Sequence, residues 1–269
     1  MDKLNIQKQW DGDPCGVNTI DPSLAPNTIE YYRSARSHRY EVDSPWMHDA
    51  VDFSTIRDAD ILEIGVGLGS DHFSFASLGN RMTALDLSRE HLAHTKRHLE
   101  LEGLKTNAVY GDAECMPFEN EQFDLVYAFG VLHHTPDTEK AIAEVHRVLR
   151  PGGVAIIALY SRWSLFFIIF LLRNGLIRGG FFKKSYAELL SEIEYRSGSN
   201  DATPIVKLYS RSQVRRLLKN FDNVELATHH TFFGKLQPKL PWARNFQERL
   251  LGYFGWYHVA KAHKALKQG

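Results

Sequence analysis

From Ala59 onward, short β-branched runs alternate with stretches of helical periodicity. This alternation constrains the fold most, because strands separated by helices pair in parallel and need cover on both faces. The runs are Ile61–Ile64, Met82–Leu85, Ala108–Tyr110 and Asp124–Ala128, then Val154–Leu159 after a Pro-Gly-Gly stop, Val224–His229, and a last run near Trp256–Ala262. Seven strands fit, and the last two lie close enough to predict an antiparallel edge. The intervening helices carry their own signals. Ser88 is placed to cap a helix that turns Leu92 and Leu99 inward and stops at Gly103, since a hydroxyl accepts from free first-turn N–H groups and glycine tolerates a left-handed exit. Asp137–Leu149 presents Ala141, Ile142, Val145, Val148 and Leu149 at helical spacing, and Ser212–Asn220 does the same with Val214, Leu217 and Leu218.

Around this core the chain divides into an N-terminal arm (1–55) with turn signals and one helix over Asn27–Tyr40, the core (56–160), an insertion (161–205), and a closing helix-strand-strand unit (206–269) interrupted by a loop rich in Pro and aromatics. The insertion holds the ten-residue run Trp163–Leu172 (WSLFFIIFLL), well short of the roughly 20 residues a spanning helix needs. With Asn174–Ile177 it is too apolar for an exposed helix. It must pack on the sheet, a partner subunit, a lipophilic acceptor or a membrane face, and a place in the core or a dimer through 163–184 is the first expectation. Two cysteines, Cys15 and Cys115, and a start without an apolar leader predict a reducing, cytoplasmic location. The 32 basic residues cancel the 32 acidic ones, but unevenly: residues 1–150 carry 14 and 25, residues 151–269 carry 18 and 7, a balance of −11 against +11. An anionic acceptor, an anionic membrane surface or an acidic partner therefore suits the second half; nucleic acid is not expected, because FGVLHHTP after the fourth strand lacks the Asn/Asp-Pro-Pro-aromatic motif that would grip a flipped base.

The chemistry gathers at the strand ends. Glu63-Ile64-Gly65-Val66-Gly67-Leu68-Gly69-Ser70 follows one strand and opens a helix, where glycines permit a sharp turn and close approach to a ligand. A dinucleotide fold wants G-x-G-x-x-G; the pattern here is G-x-G-x-G with an acid two residues ahead, which disfavours pyrophosphate and suits a cationic or hydroxyl-bearing ligand. Asp86 ends the next strand, about 20 residues on, where a carboxylate accepts from both ribose hydroxyls. Gly111-Asp112-Ala113-Glu114 then offers a carboxylate to an exocyclic amine, and Phe129-Gly130-Val131-Leu132-His133-His134-Thr135-Pro136 lines the same edge.

In this order, EIGVGLGS, LDLS, GDAE, FDLVYAFGVLHHTP and HRVLRPGG resemble the class I S-adenosylmethionine (SAM)-dependent methyltransferases, in particular their small-molecule and ubiquinone-biosynthesis group. The resemblance covers about residues 55–160 strongly and the closing unit more loosely. It implies a Rossmann-like, doubly wound seven-stranded α/β sheet, mostly parallel with an antiparallel last strand and helices on both faces. It also implies SAM as cofactor, with Glu63, Gly65, Val66 and Gly67 at its methionine end, Asp86 and Leu87 at the ribose, Asp112, Ala113 and Glu114 at the adenine, and Phe129 on the channel floor. No metal is needed, since the sulfonium methyl is already activated and the protein must chiefly align the reactants.

The acceptor nucleophile (O, N, S or C of a small molecule, a thiol or lipophilic metabolite included) stays open. His133 and His134 could take its proton with ordinary pKa values, or one could cap the helix near Thr135-Pro136 while the other packs beneath the loop. Tyr160, at the end of the fifth strand, is a further catalytic candidate. Tyr31, Tyr32, Arg33, Arg39 and Tyr40 form either a lid whose arginines meet an acceptor anion or a solvated helix face. His91, His94 and His98 share one side of a helix, where a solvated surface is expected rather than a metal site. Two further functions remain: a SAM-binding regulatory or assembly protein without catalysis, and an NAD-dependent oxidoreductase, which the glycine spacing opposes.

Overall fold

All seven runs form strands of one sheet: β1 (Asp60–Ile64), β2 (Arg81–Asp86), β3 (Asn107–Tyr110), β4 (Phe123–Phe129), β5 (Leu149–Tyr160), β6 (Asn223–His229) and β7 (Tyr257–His263). The computed structural model describes residues 3–12, 14–194, 204–230 and 252–267. The expected Pro- and aromatic-rich loop, at 231–251, and residues 195–203 of the insertion lie outside them. The strand order is β3-β2-β1-β4-β5-β7-β6. β1 through β5 pair in parallel, and β7 runs antiparallel to both β5 and β6. The expected Rossmann-like sheet with its reversed last strand is therefore present.

Ten helices accompany the strands among the described residues: α1 (Lys3–Gly12), α2 (Ile29–His38), α3 (Met47–Val51), α4 (Ser70–Ala76), α5 (Arg89–Leu101), α6 (Thr138–Val148), α7 (Leu165–Phe170), α8 (Gly180–Lys183), α9 (Tyr186–Ser191) and α10 (Arg211–Leu217). Strand alternation divides the core. Leu62, Ile64, Val126 and Ala128 pack with α6 and α10 on one face, while Ile61, Leu125, Tyr127 and Ile156 pack with α3 and α4 on the other. Ser88 caps α5 by accepting from the His91 N–H, and Gly103 follows with φ +74°. α6 is capped by Asp137, which accepts from the Lys140 N–H, so neither His133 nor His134 is its cap.

Three expectations need correction. β5 begins at Leu149 rather than Val154, because Leu149 pairs with Phe123 across a bulge that absorbs Pro151 and its missing N–H. Arg150 fastens the bulge by bridging Asp60 at 2.9 Å and Asp124 at 2.7 Å. The N-terminal arm holds α1 and α3 besides the expected helix α2; α1 has no local signal because it docks through polar contacts with distant residues rather than through an apolar stripe. The run Trp163–Leu172 is only partly core. Phe167 is buried against Tyr160 and Trp256, whereas Trp163, Ile169 and Leu172 are more than half exposed.

Candidate functional site

The ends of β1 to β4 converge on a cavity of about 230 Å³. Its floor is the glycine loop, where Gly65, Gly67 and Gly69 all adopt positive φ, between +52° and +75°. At Gly65 the requirement is double, since a Cβ there would stand 2.1 Å from Cγ2 of Val131. The turn is closed by the Gly65 N–H donating to the Leu85 carbonyl at 2.8 Å and the Gly69 N–H to the Val66 carbonyl at 2.8 Å.

Asp86, nearly buried, ties this loop to β2. It accepts from the Val66 N–H at 2.9 Å, from the Ser88 N–H at 2.8 Å, and from Nδ1 of His91 at 3.1 Å. Nε2 of His91 accepts from the Cys15 N–H at 3.3 Å, which fixes the Nδ1–H tautomer. One turn on, Thr95 donates to the Gly67 carbonyl and Nδ1 of His98 to the Leu68 carbonyl at 3.0 Å. One face of α5 thus holds the glycine loop from behind. This corrects the solvated reading of His91, His94 and His98. His91 and His98 are buried, and Tyr32 stacks on His98 at 4.8 Å while its hydroxyl meets His94 at 3.0 Å. Desolvation lowers His98 to about 4, so it stays neutral.

Glu63 lies at the inner end, buried, with Oε2 2.8 Å from Nδ1 of His72. Burial, with Asp71 and Asp86 nearby, raises the Glu63 carboxyl well above its usual range, and desolvation lowers His72 to about 3. Beside this pair, Arg39 makes a bidentate ion pair with Asp71, to which Tyr40 and Tyr127 each donate at 2.8 Å. Burial alone would raise Asp71, but Arg39 and the two hydroxyls hold it below the ordinary carboxylate range. The Arg39 guanidinium also sits 5.1 Å above the ring of Phe129, which Tyr257 and Trp46 back.

The outer end is covered by α1, whose residues the sequence did not single out. Lys3 pairs with Asp112 and, at 2.6 Å, with Glu114; Gln7 accepts from the Tyr110 hydroxyl; Asp11 accepts from Ser88 at 2.6 Å; Ile6 and Trp10 face the cavity. Each contact spans 77 to 111 residues of sequence, beyond any local pattern.

Of the expected cofactor residues, Glu63, Gly65, Val66, Gly67, Asp86, Leu87, Asp112, Ala113 and Phe129 line the cavity. Glu114 stands behind the wall, accepting from the Asp137 N–H at 2.6 Å. Of the lid candidates only Arg39 reaches the cavity. Tyr31 and Tyr32 are buried in the packing of α2, Arg33 forms an exposed pair with Glu102, and the Tyr40 hydroxyl is committed to Asp71 and Ser74. His134 lines the cavity beside Trp10, and its Nδ1 donates to the Ile205 carbonyl at 2.6 Å, which leaves Nε2 as the lone-pair nitrogen. His133 is fully buried between His134 and Tyr160. Desolvation lowers it well below an ordinary histidine, contrary to the pKa expected for it. The Tyr160 hydroxyl donates to Glu194 at 2.6 Å, toward the insertion, and desolvation raises it well above a normal phenol.

The set fits SAM chemically. Carboxylates follow one another along the cavity from Asp112 through Asp86 to Glu63, matching an amine, a diol and an ammonium in turn, and Gly67 leaves open the space a side chain would fill, with nothing nearer its Cβ position than Cys15 at 3.8 Å.

Residues 62–157 match the family model described as a methyltransferase domain. Phthiotriol/phenolphthiotriol dimycocerosates methyltransferase 1 of Mycobacterium ulcerans is 40% identical over 95 residues, covering 35% of this chain and 34% of that protein. The ubiquinone biosynthesis O-methyltransferase of Rhodopseudomonas palustris is 26% identical over 166 residues, covering 60% and 61%. The chain spans only 24–34% of the length of the first curated relatives it matches. The fold is shared with magnesium protoporphyrin IX methyltransferase of Synechocystis PCC 6803, solved with bound SAH, at a TM-score of 0.60 over 98% of this chain and 100% of that one and 12% identity.

Proposed function

We propose that this chain, whose residues 62–157 match a methyltransferase domain, is a class I SAM-dependent methyltransferase that transfers the SAM methyl group to a lipophilic small molecule and leaves S-adenosylhomocysteine. The cavity carries the reading: four successive strand ends line one space with Glu63, Asp86 and Asp112 around a G-x-G-x-G turn. Bound SAM supplies a methyl already activated on sulfur. The chain's own residues then bind, orient and exclude water. Glu63 faces the ammonium, whose positive charge offsets the burial that otherwise favours the protonated carboxyl. Asp86 and Leu87 would hold the ribose, and Asp112 and Ala113 the adenine, for which Asp112 would give up its pair with Lys3. Phe129 and His134 border the path to the methyl, and Nε2 of His134 is the group placed to take a proton from a hydroxyl or thiol acceptor.

A lipophilic acceptor is supported by Phe129 in the cavity wall, held from behind by Trp46 and Tyr257, and by the relatives, whose names specify a sterol, a phthiotriol, a phytyl-hydroquinone and ubiquinone biosynthesis. Segment 163–184 serves as a contact surface apart from this chemistry. A cytoplasmic location is the reading that a chain with only two cysteines, Cys15 and Cys115, favours.

Calorimetry with SAM tests the cofactor. Wild type binds, and Asp86→Ala raises the dissociation constant about tenfold or more through lost charge-assisted bonds; unchanged affinity refutes the ribose assignment, and NADH binding tighter than SAM refutes the cofactor. Mass spectrometry on a panel of quinols, sterols and thiols should show the gain of one methyl. SAM binding without turnover across that panel would leave a non-catalytic SAM-binding protein.

A further inference from the structure

From Ser161 to Ala187 the insertion contains five cations, Arg162, Arg173, Arg178, Lys183 and Lys184, and no carboxylate. α7 continues without a break into a wider helical turn over Leu171–Ile177, and a left-handed Gly179 then turns the chain into α8. Phe167 anchors this unit in the cluster with Tyr160 and Trp256 at the end of β5. The opposite side is bare apolar surface. Ile169, Leu172 and Leu176 succeed one another along it, and Ile177 and Phe182 are 79% and 87% exposed, with Phe181 half exposed between them. So much contiguous apolar surface on a soluble domain marks a contact site.

We infer that this face docks on an anionic lipid bilayer. The charge pattern selects the occupant. Among the described residues, Arg173, Arg178 and Lys183 form no ion pair with a carboxylate, and they wall a cavity of about 890 Å³ together with Phe166, Ile169 and Phe170. The acids on the same wall are engaged locally, Glu192 with Lys184 and Glu188 in the cap at Ser185. Cations beside exposed aliphatic and aromatic side chains match a surface whose phosphates lie just above its acyl chains. A symmetric pairing of two such faces would instead set five cations against five. No helix among the described residues is long and apolar enough to cross a membrane, so the attachment is peripheral. On its inner side the unit that carries this face is anchored through Phe167 in the cluster with Tyr160, at the end of β5 and next to His133.

The test is co-sedimentation of the full chain with vesicles of phosphatidylcholine alone or mixed with phosphatidylglycerol. Binding is expected to the mixed vesicles, weaker to the neutral ones, and to fall as salt is raised. Ile177→Ser with Phe182→Ser should weaken it about tenfold or more. Arg173→Ala with Lys183→Ala should weaken it about fivefold per charge removed. SAM affinity and melting temperature should stay unchanged in both pairs, because these side chains are exposed and remote from the cofactor cavity. The inference fails if anionic vesicles do not retain the wild type, or if the serine pair binds as tightly as the wild type. It also fails if light scattering shows a dimer that the serine pair dissolves, which would assign the face to a second copy of the chain.

Discussion

At the scale of single residues the site is a set of side chains whose protonation is dictated by their partners. His134 is the plainest case, because a carbonyl can only accept: with Nδ1–H given to Ile205, the nitrogen free to act as a base is Nε2. His134→Asn keeps an N–H donor near the Nδ1 position and removes the base. Turnover on a hydroxyl or thiol acceptor should therefore fall by about 10²–10⁴-fold with SAM affinity unchanged; steady-state kinetics beside calorimetry measures the split, and full activity removes His134 from the chemistry. His133 looks equivalent in sequence, yet one residue's difference along the 3₁₀ turn Leu132–His134 sends it into the interior, where both ring nitrogens lack a partner among the described residues. Sequence shows that a histidine pair follows a strand; it does not show which ring faces the ligand, because a turn's rotation is settled by what packs around it. Asp86 was legible for the opposite reason. Strand, loop and acid lie within 25 residues of one another, and their spacing alone brings them together.

At the scale of elements, the glycine turn and α5 behave as one piece. β1 supplies the approach, the turn reverses the chain, and Thr95 and His98 on α5 hold its carbonyls. Gly65→Ala tests the piece. The new methyl meets Val131 and also forces a positive φ on a residue that resists it, so the variant should lose about 1–3 kcal/mol of stability and most SAM binding. Adding Val131→Ala should restore only part of either, since the φ penalty remains; thermal denaturation of both variants reads the outcome. The strands and α5 and α6 were readable because their apolar periodicity is local. The covered face of α5 was not. Three histidines at helical spacing look like a wet surface until α2 is laid across them with Tyr32 and Arg36. The insertion misled in the other direction, since apolar periodicity reports a preference for burial without naming what does the burying.

At the scale of the whole molecule, buried neutral histidines make stability depend on acid. Desolvation lowers His72 to about 3 and His98, His230 and His258 to about 4. Each takes up a proton in the unfolded chain near pH 6.5 and resists it in the fold, so the stability they confer is complete above that pH and is lost as pH falls from about 6.5 toward 4. Each contributes a slope of up to about 1.4 kcal/mol per pH unit. Melting temperature followed across that window should decline steeply, and His258→Gln should flatten the decline; a flat profile in the wild type would contradict the burial of these rings. The opposite charges of the two halves point the same molecule two ways, an acidic cofactor end and a basic face on the insertion. α1 joins these scales. Its ties to Asp112, Glu114, Tyr110 and Ser88 hold it across the outer end of the cavity. Lys3–Gly12 lies over the outer end of the cavity, so the path of a cofactor in or out runs past this helix. The Lys3 pairs with Asp112 and Glu114 are the part of this cover that salt screens, so release of the spent cofactor should quicken as ionic strength rises, which stopped-flow measurement reads.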